Sequence, residues 1–248
     1  INSMAKTKSV YFCNNCGAES PKWIGRCPVC GEWNTYVEEV VSTKSAAGGR
    51  GEFGTMEQSK VRPQRIDDIQ ITEESRIDLG NGELNRVLGG GLVRGSLVLI
   101  GGEPGIGKST LILQTVLALK GQKILYVSGE ESARQLKLRA ERIGGNAPDC
   151  YIVCETSLED IFVHIRNVAP DIVVIDSIQT IATSAMESSP GSVGQVRECA
   201  ASLLKFAKQT NTPVLLVGHI NKEGSIAGPK VLEHICLLYT SPSPRDRG

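Results

Sequence analysis

The chain has 248 residues, 40% of them apolar and 22% charged, which suits one substantial core with a small satellite domain. Lys plus Arg and Asp plus Glu both number 27, so no global field draws the chain to nucleic acid or anionic lipid. No apolar run approaches the roughly 18 residues of a membrane span, and no signal-peptide core opens the chain; a cytoplasmic protein with no membrane partner is expected.

Residues 10–37 come first and are cysteine-rich, carrying four of the eight cysteines and two tryptophans. Cys13-Asn14-Asn15-Cys16 and Cys27-Pro28-Val29-Cys30 are two C-x-x-C knuckles with ten residues between them. Each knuckle turns two thiolates toward one point, and two knuckles complete a tetrahedral Zn²⁺ shell. Gly17 and Gly31 follow the second cysteine of each knuckle, where a tight turn benefits from a residue tolerating positive φ. Four thiolates leave no position for a substrate water, so the expected role is structural, and so short a segment would fold only with its metal. A redox C-x-x-C pair is the rival, but the chain lacks a thioredoxin-like pattern. Lys22, Trp23 and Arg26 offer a cation and stacking surface, although Trp23 would equally serve as a cover for the metal. Cys150, Cys154, Cys199 and Cys236 are expected to be free thiols.

Residues 38–65 read as a flexible linker; VSTKSAAGGRGEFGTMEQSKVRPQR, at 41–65, is short of large apolar residues and has no period. A core is expected over 66–235. Strands are predicted at 96–101, 123–128, 151–153, 171–176 and 213–218, apolar on both parities as in a parallel sheet covered on both faces. Helical patterns fall between them at 108–119, 132–143, 158–167 and 195–208. The alternation predicts an α/β fold with a mostly parallel central sheet and right-handed crossovers.

Gly102-Glu103-Pro104-Gly105-Ile106-Gly107-Lys108-Ser109 matches G-x-x-x-x-G-K-[ST] between a strand and a helix. Such a loop, continued by Thr110, turns successive N–H groups and a helix N-terminus toward the phosphates of ATP. Lys108 is then expected on the β- and γ-phosphates and the Ser109 hydroxyl on Mg²⁺. Asp176 ends the strand Ile172–Ile175, where a carboxylate reaches the Mg²⁺ shell. Glu130 and Glu131 follow the strand Ile124–Val127; one of them, with Glu130 favoured, would orient the attacking water, unless the pair simply begins the next helix. His219 ends the strand Val214–Gly218 at the ligand side of an open α/β sheet, as a γ-phosphate sensor or an ordinary strand-end residue.

Together these features resemble the RadA (Sms) family of bacterial DNA repair proteins, within the RecA-like ATPase superfamily. The resemblance runs from Met4 to about Ile235 and rests on YFCNNCGAESPKWIGRCPVCGEWNT, ELNRVLGGGLVRGSLVLIGGEPGIGKSTLILQ, LYVSGEES, VVIDSIQT and GHINKEGSIAGPKVLEH. It implies a zinc ribbon and linker before a RecA-like ATPase core. It further implies an ATP-dependent, DNA-stimulated motor acting on single-stranded or branched DNA as a homo-hexamer. Such a motor drives branch migration of recombination intermediates beside a recombinase and other repair proteins. Lys222 and Lys230 fall in the segment that faces DNA in this superfamily.

Two departures stand out. The Lys-Asn-Arg-Phe-Gly motif and the Lon-like domain that follow in this family are missing. The resemblance breaks within 236–248 (CLLYTSPSPRDRG), which reads like a translated sequencing adapter and is expected to be non-native, just as Ile1–Ser3 are expected to precede the start at Met4. The chain is therefore expected to bind ATP and zinc, but to hydrolyse slowly and not to branch-migrate. The rival enzyme class is a zinc-containing nucleoside or nucleotide kinase, whose knuckles commonly follow the phosphate loop rather than precede it. A KaiC-like regulatory ATPase is the other alternative.

Overall fold

Valine, isoleucine and leucine runs of five or six residues cannot leave either face in water, and here neither is. The computed structural model describes residues 7–14, 17–42, 65, 67, 76–144, 149–219 and 237–240. The central strands are β4 (Leu97–Gly102), β5 (Ile124–Ser128), β6 (Cys150–Cys154), β7 (Ile172–Asp176), β8 (Val214–His219) and β9 (Leu237–Thr240). They form one sheet in the order β6-β5-β7-β8-β4-β9, and every neighbouring pair is parallel.

Alternate residues of these strands build two cores. Leu97, Leu99, Val127, Ile175 and Leu216 pack under α4 (Leu158–Val168) and α5 (Val193–Thr210). Val98, Ile100, Tyr126, Val174 and Val217 pack under α2 (Lys108–Ala118) and α3 (Ala133–Ile143). The expected α/β fold with a parallel sheet covered on both faces is borne out. Helix starts follow local chemistry: the Ser132 side chain caps α3 in a reciprocal box with Gln135, while Ser157 and Ser192 cap α4 and α5.

Three features differ from expectation. A short helix, α1 (Gly82–Val87), capped by Asn81, precedes β4 and buries Leu84; six residues are too few to show a helical period. The ribbon, for which no strands were predicted, forms a sheet. It has the order β2-β1-β3, with β1 (Thr7–Cys13), β2 (Glu19–Ser20) and β3 (Tyr36–Ser42) antiparallel. β3 thus carries ordered backbone to Ser42, inside the segment expected to be linker, because each of its residues pairs with one on β1. Finally, Leu237–Thr240 adds to the sheet edge beside β4, so backbone pairing continues past residue 235.

The ribbon also touches the core. Phe12, 5% exposed, joins the cluster beneath α5, and Arg197 on α5 donates to the Gly17 carbonyl at 2.9 Å and pairs with Glu19 at 2.8 Å.

Candidate nucleotide site and metal centre

Parallel register brings the C-terminal ends of four strands level. Gly102 pairs with His219, Ser128 with Asp176, and Asp176 with Val217. Open α/β sheets bind ligands at this edge, and the chemistry-bearing residues collect there.

The loop after β4 turns into α2 through Gly105 and Gly107, at φ 80° and 94°, which suit glycine alone without strain. Lys108 is the first residue of α2 and is 4% exposed. Its Nζ donates to the carbonyls of Gly102 and Glu103, both at 2.7 Å, and so closes the loop on itself. Burial lowers its pKa, while the charges of Asp176 and Glu130 hold it up. Ser109 Oγ donates to Asp176 Oδ1 at 3.0 Å, bringing together two oxygens of the kind that Mg²⁺ prefers. Ser109, Asp176 and a helix N-terminus free of side-chain caps fit a Mg²⁺–triphosphate. Bound there, the ion would neutralise phosphate charge.

The two adjacent acids separate cleanly. Glu130 Oε1 accepts from Ser177 Oγ at 2.6 Å and lies 3.2 Å from His219 Nε2. Glu131 instead pairs with Arg139 on α3 at 2.7 Å. Only Glu130 therefore shares the strand-end cluster with Asp176 and His219. Burial pushes its carboxyl up, but hydrogen bonds from Ser177 and His219, with the charges of His219 and Lys108, bring it below the ordinary range. Asp176 moves oppositely: burial raises it, the Glu130 charge adds to this, and hydrogen bonds from Tyr126 and Ser109 offset only part. Two neighbouring carboxylates pushed apart in pKa have separate tasks available to them.

In the ribbon, the sulfurs of Cys13, Cys27 and Cys30 lie within 4.8 Å of one another. Cys13 Sγ and Cys30 Sγ are 3.7 Å apart, close to the edge of about 3.8 Å in a zinc tetrahedron with bonds of about 2.3 Å. Gly17 and Gly31 have φ of 72° and 77°, and their N–H groups donate to Cys13 and Cys27 carbonyls, closing both knuckles as expected. The three thiols fit zinc. Cys16, the fourth expected ligand, lies outside the described residues.

With the phosphate loop and the strand-end acids in place, an AAA domain matches residues 60–225, more than half of the chain. The chain belongs to the AAA domain family. A rubredoxin metal binding domain matches residues 11–38, over the cysteine cluster. The chain is also similar to the DNA repair protein RadA of Bacillus subtilis (strain 168), at 54% identity over 240 residues, covering 95% of this chain and 52% of that protein. The RadA proteins of Listeria monocytogenes (50% over 239 residues) and Pseudomonas aeruginosa (48% over 239 residues) match alike, each across 95% of this chain. The resemblance to the RadA family is borne out. The chain spans about half the length of these relatives, 52%, 51% and 52% in turn.

Within the AAA domain several contributors escaped prediction. Tyr126 donates to Asp176, Ser177 holds Glu130, and Gln179 donates from Nε2 to the His219 carbonyl at 3.2 Å. Tyr126 left one signal, a phenol within the otherwise aliphatic run Ile124–Val127, whose hydroxyl needs a partner. Gly129 left another. A side chain there would collide with Thr180, so glycine alone lets Glu130 approach the end of β7, where the Gly129 N–H meets the Asp176 carbonyl at 2.9 Å. Lys222 and Lys230 lie outside the described residues. Among the described residues, no helix is long and apolar enough to cross a membrane.

Proposed function

We propose that this chain carries the ATP-hydrolysing unit of a DNA repair machine. ATP lies along Gly102–Thr110, with Lys108 released from the loop carbonyls to the β- and γ-phosphates. Ser109 and Asp176 hold the Mg²⁺ side. Glu130, kept ionised by its partners, takes a proton from the attacking water, and the resulting hydroxide adds to the γ-phosphorus as ADP leaves. His219, bonded to Glu130 and followed directly by the segment of Lys222 and Lys230, senses the γ-phosphate and passes its state to that segment.

The observation that carries this reading is the single cluster in which Lys108, Ser109, Asp176 and Glu130 meet at one sheet edge. The likeness to RadA proteins supports single-stranded or branched DNA as partner, a homo-hexameric ring, branch migration, and work alongside a recombinase. Lys222 and Lys230, multiplied around a ring, would supply the positive channel that the neutral composition lacks and make binding salt-dependent. The ribbon is a structural zinc site.

The test is ATP binding and hydrolysis with and without single-stranded DNA, on this chain and on Lys108→Ala. Mg²⁺-dependent binding and the slow phosphate release expected of this chain are both lost in the variant, and robust DNA-stimulated turnover by the 248 residues would overturn the expectation of slow hydrolysis. Phosphate transfer to an added nucleoside would instead establish the kinase reading.

A further inference from the structure

One buried contact at the sheet edge is not required by the phosphate loop. Tyr126 lies in the middle of β5 with 0% exposure, and its hydroxyl donates to Asp176 Oδ2 at 2.5 Å. The other carboxylate oxygen, Oδ1, is the one that accepts from Ser109. The donors come from two different elements, β5 and α2, and each takes one oxygen. Both strands place these side chains on the α2–α3 face: Asp176 lies two residues beyond Val174 and so shares its face, and Val174 pairs with Tyr126 in register.

A carboxylate torsion has a broad profile and by itself presents either oxygen. A phenol locked in a packed strand removes that freedom. A neutral phenol carries one O–H, and with Asp176 Oδ2 as its acceptor Tyr126 is the donor of the pair.

We propose that Tyr126 is a positioning residue for the metal–nucleotide complex, holding Asp176 in the single rotamer that presents Oδ1 to Ser109. The inference rests on the reading of Ser109 and Asp176 as the Mg²⁺ side of the site. Loss of the phenol oxygen leaves Asp176 Oδ2 buried without its donor and lets the carboxylate turn.

The experiment follows binding of a fluorescent ATP analogue to the 248-residue chain while Mg²⁺ is titrated, starting from EDTA. Wild type, Tyr126→Phe, Asp176→Asn and the double variant are compared. Tyr126→Phe leaves affinity in EDTA unchanged and raises the Mg²⁺ concentration for half-maximal tight binding about tenfold, the size expected for a lost hydrogen bond to a charged group. In the Asp176→Asn background the same change adds nothing, which a cycle of the four proteins reads directly. An equal loss in EDTA, an unchanged Mg²⁺ requirement, or full additivity with Asp176→Asn overturns the proposal and leaves the nucleotide site standing. Binding that survives Lys108→Ala overturns the site itself and the proposal with it. A second readout needs no tyrosine substitution. In 3-fluorotyrosine-labelled chain, the Tyr126 resonance shifts when Mg²⁺ joins bound ATP; a shift that persists in Asp176→Asn also defeats the proposal.

Discussion

The ribbon and the sheet core solve the same problem with opposite materials. The sheet buries both faces of its four inner strands, β5, β7, β8 and β4, and side chains such as Val174, Leu216 and Leu203 are wholly enclosed. The ribbon's own buried cluster is Cys13, Cys27 and Tyr36, while Trp23 and Trp33 stand 53% and 67% exposed. Two of those three buried groups are sulfurs aimed at one point. The core is therefore organised by removal of apolar surface from water, and the ribbon by a metal that replaces the missing apolar surface. Their meeting point is narrow: Phe12 enters the cluster under α5, and Arg197 reaches back to Gly17 and Glu19.

The strongest way to break this comparison is to remove the zinc. Chelation should abolish protection of ribbon amides in hydrogen exchange, since structural zinc in small domains contributes on the order of 10 kcal/mol, while the core keeps its melting transition. A ribbon that stays protected without metal would refute the contrast. The converse change is Leu216→Ala, at a fully buried position of β8. It should cost about 3 kcal/mol in the denaturant midpoint of the core, with zinc content unaltered.

A smaller effect sharpens the division between stability and function inside the core. The Asp176 carboxyl titrates above its ordinary range, first because it is buried. The folded chain therefore favours its protonated form; stability from this group is present below the unfolded-state value and lost as pH rises through the folded one. At neutral pH its charge is a cost, which Asp176→Asn removes. The nucleotide-free variant should melt roughly 2 °C higher at pH 7, with the gain fading as pH falls through the folded-state value and gone below about pH 4, while the Mg²⁺ concentration needed for tight ATP binding rises. Scanning calorimetry across that range reads the sign. The smallest expected effect is Arg197→Ala. Its pair with Glu19 is half-exposed, so about 0.5 kcal/mol is at stake, visible as faster proteolysis of the ribbon with core melting unchanged.

The phosphate loop was legible because its chemistry is local. Gly102 to Ser109 are consecutive, and glycine conformation, helix start and cation lie within one turn of each other. The knuckles around Cys13 and Cys27 and the alternation of strands and helices were legible for the same reason, since three-residue spacings and apolar periods are short-range properties. The length of β3 was not, because a run such as Val37-Glu38-Glu39-Val40-Val41 becomes a strand only when β1 supplies the partner.

The distinction between Glu130 and Glu131 shows where sequence stops. Both follow the same strand and carry the same charge, and sequence could only favour one. Side-chain direction decides: Glu130 meets Ser177 and His219, 47 and 89 positions away, and Glu131 meets Arg139. Tyr126 reaches Asp176 across 50 positions, and Arg197 reaches Gly17 across 180. The sequence by itself determined the phosphate cradle, the thiol knuckles and the buried parallel sheet, because each is specified by neighbours along the chain. Only the tertiary structure decided which carboxylate meets Ser177 and His219 at the sheet edge, how Asp176 is held, and where the ribbon rests. Those depend on register between strands and on directions of side chains that the chain order does not record.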